Sequence, residues 1–166
     1  MPVLTRRRLM LAGLAMGLPA SVGWANSGQT KGQAHGLPPI HVVKGTGCEC
    51  CTAWADHLKA AGFVVTEEER LGAALIRFKM DQGIPTAAYS CHTGMVDGYA
   101  LEGHVPAADI QRLLAERPDA IGLAVPGMPY GSPGMGDETE REAYEVFLID
   151  HDGASTTFSR YEAASG

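Results

Sequence analysis

The sequence predicts an α/β domain with helices packed on a small mixed sheet. Two short apolar runs, "IHVVK" from Ile40 and "FVVTEE" from Phe63, read as strands. Segments with helical spacing follow each of them. An Asp-Gly pair then divides two more apolar runs, a strong signal for a two-residue hairpin turn. In order these give β-α-β-α-β-β-α, the succession of a thioredoxin-like domain.

Each element has its own justification. Residues 51–61 place Trp54, Leu58 and Ala61 at i, i+4 and i+7, one apolar face of a helix that Gly62 closes. After the second strand the run Glu67-Glu68-Glu69 reads as a solvated strand end. Leu71, Ala74, Leu75 and Phe78 mark a second amphipathic helix ending near Gly83, and Met80 and Met95 read as core. "IPTAAYSCHTG" reads as a loop. "MV", the turn Asp97-Gly98 and "YALE" form the hairpin. Pro106 opens a third helix carrying Ile110, Leu113 and Leu114, and Pro118 stops it. "AVPGMPYGSPGMGD" has no periodicity and reads as a Gly/Pro/Met loop. "YEVFLIDHDGASTTFSRY" is a second hairpin turning near Asp152-Gly153, placed to extend or cap the sheet.

The chain of 166 residues begins with a segment foreign to such a domain. "TRRRLMLAGLAMGLPASVGWA" has a basic start, an apolar middle and a small-residue end, the layout of an export signal. It is too short and too rich in glycine for a membrane span. Arg6-Arg7 after Thr5 fits a twin-arginine leader, a route that exports folded proteins; an ordinary leader with a basic start is the alternative. The organisation expected is a signal at 1–25, a polar linker at 26–39 and one domain at 40–162, in a periplasmic protein. The roughly 125 residues that follow suit a single core. Loss of Arg6, Arg7 and Arg8 takes the net charge from −6 to −9. Such an acidic surface argues against nucleic acid and anionic membranes as partners, and no stable membrane insertion is expected once the signal is cleaved.

All four cysteines fall in the domain, three of them in "GTGCECC" at a strand-to-helix turn. In an exported protein the default use of cysteine is the disulfide. A staple, however, normally links distant segments, and Cys48, Cys50 and Cys51 lie side by side. Cys48 and Cys51 form a Cys-x-x-Cys pair at a helix start, where unpaired N–H groups and the helix dipole favour thiolate. That favours disulfide exchange and metal binding alike. Cys50 tilts the balance, because a dithiol exchanger needs two sulfurs while a soft metal readily takes a third and bridges through it. Thiolates with thioethers favour copper(I). The four cysteines could also hold zinc, although their spacing is unlike paired zinc knuckles.

Other donors sharpen the site. Cys91-His92 precedes the first hairpin, and His104 in "EGHVP" follows it, close to the third helix start. Met128 and Met135 lie in the Gly/Pro loop, which has little else to bury and could fold over the thiols. His41, His57 and His151 read as ordinary surface or hydrogen-bonded residues, and His35 falls in the linker.

"GTGCECC", "SCHTG", "GYALEGHVP", "RLLAERPDAIGLAVPGMP" and "GSPGM" together resemble the CopG-like periplasmic copper-resistance family, over residues 40–136 and the final hairpin. The resemblance implies a thioredoxin-like domain that binds copper through cysteine thiolates, with a role in copper handling and a redox function for the bound metal. By position it carries over Cys48, Cys50, Cys51, Cys91, His92 and His104, with Met128 and Met135 for the Met loop. The expectation is a copper-binding protein holding one or more copper(I) ions, partnered with metal ions and other periplasmic copper-handling proteins. It need not be an enzyme; if it is, copper redox or thiol–disulfide exchange is its chemistry. The alternative reading is a thiol–disulfide oxidoreductase using Cys48 as nucleophile and Cys51 as resolving thiol.

Overall fold

The structure, a computed structural model, describes residues 36–165. The export signal and all but the last residues of the linker lie outside the described residues, as does His35. The strands are β1 (Ile40–Gly45), β2 (Val65–Arg70), β3 (His92–Val96), β4 (Tyr99–Glu102), β5 (Gly122–Ala124), β6 (Tyr144–Ile149) and β7 (Ser155–Tyr161). The helices are α1 (Glu49–Ala60), α2 (Gly72–Asp81) and α3 (Ala107–Glu116). The strands form one mixed seven-stranded sheet in the order β2-β1-β3-β4-β5-β6-β7. Pairs β1–β2 and β4–β5 are parallel; the rest are antiparallel. No helix among the described residues is long and apolar enough to cross a membrane.

Helix α1 and helix α3 cover one face of the sheet. Trp54 and Leu58 from α1, Ile110 and Leu113 from α3, and Ile40, Val42, Val96 and Leu101 from the strands form the main core. Alternation along β3 sends His92, Gly94 and Val96 to this face and Thr93 and Met95 to the other. Gly94 makes room for Trp54: a Cβ there would lie 3.1 Å from the indole Cη2. Trp54 is fully buried and its Nε1 donates to the Val105 carbonyl at 2.8 Å, tying α1 to the segment after β4. The Asp97-Gly98 hairpin forms as expected, with both residues at positive φ.

Some expectations need correction. Helix α2 does not bury Leu71, Ala74 and Phe78. Leu71 is 77% exposed and Met80 61%, while Leu75 and Lys79 face the sheet. The surface beneath α2 is polar there, with Thr93 and Glu102, and it takes the ammonium of Lys79 rather than an aromatic ring. Met95 is only partly buried, packed against the second, smaller core. The glutamate run lies inside edge strand β2, where Glu67 pairs with Lys44 and Lys59, and Glu68 with Arg70 and His41. Strand β3 starts at His92, earlier than the apolar run, because Lys44↔His92 and Val43↔Thr93 pair it to β1. Strand β5 has no counterpart among the expected elements. Its three residues pair with β4 and β6 and so join the C-terminal hairpin to the sheet.

Replacing Trp54 by Ala should lower the free energy of unfolding by about 3–5 kcal/mol, the usual loss for a fully buried aromatic. Urea unfolding of the two proteins checks this.

Candidate metal centre

Strand β1 ends in a tight turn through Gly47, at φ 71°, which feeds directly into α1. Cys48 is the N-cap, in extended conformation, and its carbonyl accepts from Thr52 N at 3.2 Å. The first turn is tied down from below. Lys44 Nζ, almost wholly buried, donates to Thr52 Oγ1 at 2.5 Å and pairs with Glu67 at 2.9 Å. Three sulfurs are thereby set at the start of α1: Cys51 fully buried, Cys48 and Cys50 half-buried. Cys48 and Cys51 are joined as a disulfide.

The remaining donors arrive from the other side. The antiparallel β1–β3 pairing carries Cys91 to the α1 start, where Cys50 Sγ lies 3.6 Å from Cys48 Sγ and 3.9 Å from Cys91 Sγ. Cys91 Sγ also lies 3.3 Å from His92 Nδ1 and 3.8 Å from His104 Nε2. The donor atoms fall into two groups sharing Cys91: four sulfurs, and one sulfur with two imidazoles. Within each group the ligand atoms lie within 4.8 Å of one another. Gly103, at φ 73°, permits the approach of His104, since a Cβ there would lie 2.5 Å from the Val125 carbonyl oxygen.

Burial governs the electrostatics. His92 and His104 have no exposed surface; Trp54 lies over His92 at 4.3 Å between ring centroids, and His104 meets it edge-on at 4.9 Å. Burial, with His104 as second cause, holds His92 well below the ordinary imidazole value. Burial alone lowers His104 to about 4. Both rings are therefore neutral at pH 7, the form that ligates metals. Burial, then the neighbouring Cys50, pushes the Cys91 thiol up to about 12. Without a cation Cys91 is a neutral thiol, and a bound metal would displace its proton. The far nitrogens, His92 Nε2 and His104 Nδ1, make no hydrogen bond to protein. The nitrogens nearest Cys91, His92 Nδ1 and His104 Nε2, are the ones placed to offer a lone pair to a metal beside its sulfur.

The Gly/Pro loop does reach the thiols. Gly134 presses on α1: a Cβ there would sit 2.6 Å from Trp54 N and 2.9 Å from the Cys50 carbonyl oxygen. Met135 and Cys50 line the same surface cleft of about 370 Å³, with Glu49, Ala53 and Tyr130. Met128 is 56% exposed; it follows Gly127, whose carbonyl accepts from Ser90 Oγ at 2.5 Å next to Cys91. The structure thus gathers Cys48, Cys50, Cys51, Cys91, His92 and His104, sets Met135 beside them, and leaves Met128 pointing largely to solvent. Sequence reasoning missed Ser90, whose contacts depend on a loop distant in sequence. It took Trp54 for core alone, and nothing local signals that its ring also covers His92. The bland readings of His41, His57 and His151 agree with their hydrogen bonds to Thr66, Ala107 N and Asp119.

The neutral imidazoles give a pH dependence to the metal-free protein. The folded pKa of His104 is depressed, so below 6.5 the unfolded chain binds the proton that the folded one refuses. Stability is therefore full above pH 6.5 and falls as pH drops toward about 4. For His104 the total loss is about 3 kcal/mol, and His92 adds to it in the same direction. Urea unfolding across this pH range should show the decline, and His104→Gln should make it shallower, leaving the part that His92 contributes.

A family described as a protein of unknown function, DUF411, matches residues 88–135, which carry Cys91, His92, His104, Met128 and Met135. No curated protein matches the chain. Two solved structures do, both of copper resistance protein CopG. Form 1 is 42% identical, with a TM-score of 0.70, covering 76% of this chain and 99% of that one. Form 2 is 43% identical, with a TM-score of 0.69, covering 75% of this chain and 98% of that one. Identity at that level along nearly the whole of CopG, on the same architecture and with a clustered set of thiols and imidazoles, places this chain in the CopG family of copper resistance proteins.

Proposed function

We propose that this protein handles copper in the periplasm, holding copper(I) as its cargo on Cys48, Cys50, Cys51 and Cys91, with His92, His104, Met128 and Met135 completing or covering the site. The observation that carries the reading is the sharing of Cys91 by two donor groups. Sulfur-only ligation suits copper(I), and imidazole also suits copper(II), so one sulfur that serves both supports redox cycling of the bound metal. More than one ion fits this arrangement, with Cys91 as a bridge. Zinc fits less well, because a closed tetrahedron on four sulfurs leaves no part for the two buried imidazoles. In the disulfide state Cys48 and Cys51 are withheld, and two electrons are needed to release them as ligands. The leader with Arg6-Arg7 supports the location. In this reading β1 through α3 constitute a thioredoxin-like unit, supported by their order and by β1 lying between parallel β2 and antiparallel β3; β5, β6 and β7 extend it. Other periplasmic copper-handling proteins would exchange metal with it.

A second reading, thiol–disulfide exchange by Cys48 and Cys51, draws on the disulfide at the helix start. Substitution of Cys50 separates the two. Reduced protein titrated anaerobically with copper(I) against a chromogenic chelator should bind the metal stoichiometrically. Cys91→Ser, which removes a donor from both groups, should weaken binding by about tenfold or more, and Cys50→Ser should lower copper content. Wild-type protein with no affinity for copper(I), together with insulin-reducing activity that survives Cys50→Ser, would establish the exchanger instead.

A further inference from the structure

We propose that Lys79 and Glu102 are positioning residues of the metal centre: their buried pair holds the Ser90–Cys91 backbone, and with it the Cys91 sulfur, against the start of α1. The inference rests on the copper reading and extends it to residues that touch no metal.

Glu102 ends β4, two residues before His104, and is 1% exposed. Its Oε1 accepts from Lys79 Nζ at 2.5 Å and from the Ser90 backbone N–H at 2.6 Å. Its Oε2 accepts from Thr93 Oγ1 at 2.6 Å, and Lys79 Nζ also donates to Thr93 Oγ1 at 3.0 Å. Lys79 is 1% exposed and Thr93 fully buried. One carboxylate thus joins α2, β3 and the loop that delivers Cys91. It lies on the sheet face opposite Trp54 and the histidines.

A pair this dry is a poor way to stabilise a fold. Removing both charges from water costs as much as their attraction returns, and apolar side chains of similar volume commonly do as well. What apolar residues cannot supply is an acceptor for Ser90 N–H. That bond belongs to no strand pairing. It fixes the residue immediately before Cys91, whose other neighbour, His92, is already held opposite Lys44. Lys79 compensates the carboxylate that makes the bond.

Two double variants separate placement from stability. Lys79→Met with Glu102→Gln removes both charges but keeps an acceptor for Ser90 N–H. Lys79→Met with Glu102→Leu removes the acceptor as well. In a Cys50→Ser background with the Cys48–Cys51 disulfide intact, Cys91 is the one free thiol of the chain, so its alkylation rate reports its placement. The Leu variant should alkylate about tenfold faster than the parent and, with Cys50 restored and the protein reduced, bind copper(I) about tenfold more weakly, the loss of one charge-assisted hydrogen bond. The Gln variant should stay near the parent in both, whatever urea unfolding shows for either. A folded Leu variant with parental alkylation overturns the proposal. Should that variant not fold, amide exchange at Ser90 in the parent and the Gln variant decides. Protection comparable to the β3 amides supports the bond, and exchange as fast as an open loop overturns it. If the parent binds no copper(I), the copper reading fails, while alkylation and amide exchange still judge the placement of Cys91.

Discussion

In the antiparallel β1–β3 pairing Lys44 lies opposite His92, and the site depends on that register. Side chains alternate faces along a strand, so a slip of one residue would turn His92 toward Lys79 and Glu102 and bring Thr93 beneath Trp54. Correct register does three things together. It packs His92 against the α1 indole and sets Cys91 near the α1 start. It also leaves Thr93 on the opposite face to meet Glu102. Lys44 reinforces the arrangement, since its ammonium bridges the first turn of α1 and Glu67 of β2. The thiols of "GTGCECC" and the Cys91-His92 pair are separated in sequence by a helix, a strand and a second helix. Sheet pairing alone brings them within 3.9 Å.

The environment selects what these donors can do. Burial makes both imidazoles neutral and keeps Cys91 protonated, so the metal-free cluster carries little charge on this side. A soft cation bound as proposed would change the balance by displacing the thiol proton. Three of the sulfurs stand at the start of α1, whereas Cys91 comes from the opposite loop, where burial governs its thiol. Thiols on one side and imidazoles on the other therefore differ in origin as well as chemistry, and they meet only at Cys91.

Much of this was legible in the sequence because the signals were local. Trp54 and Leu58 at helical spacing, Asp97-Gly98 between apolar runs, and Pro106 and Pro118 around Ile110 and Leu113 each declare an element without knowledge of the rest. The candidate sulfur and imidazole donors could be picked out for the same reason, since few residue types suit soft metals, and the structure brings them together. What stayed hidden was tertiary. Lys79 looks like any helix-surface lysine and Glu102 like a hairpin residue, and only the sheet brings them together. Leu71, Phe78 and Met80 promised an apolar face for α2, yet the polar ground under that helix rotates Lys79 inward. Strand β5 is three residues long in a Gly/Pro-rich context, and it is a strand only because β4 and β6 flank it.

Strand β5 also explains why the segment after it matters to the thiols. Its pairing with β4 in parallel register aims the chain at Val125, whose N–H donates to the Glu102 carbonyl and whose own carbonyl crowds Gly103. From there the loop has short, specific attachments: Gly127 to Ser90, and Gly134 against the backbone of α1 at Cys50 and Trp54. A side chain at position 134 would collide with that helix, and the backbone there also sits at φ 85°, so glycine secures both the contact and the turn. The result is a graded approach to the centre. Met128 is mostly exposed, Met135 and Cys50 share a cleft, Cys91 is half-buried, and both histidines are fully enclosed. A segment without periodicity or core potential becomes ordered by fitting the surface that the cysteine turn presents, and the cleft it leaves open is the one that exposes Cys50.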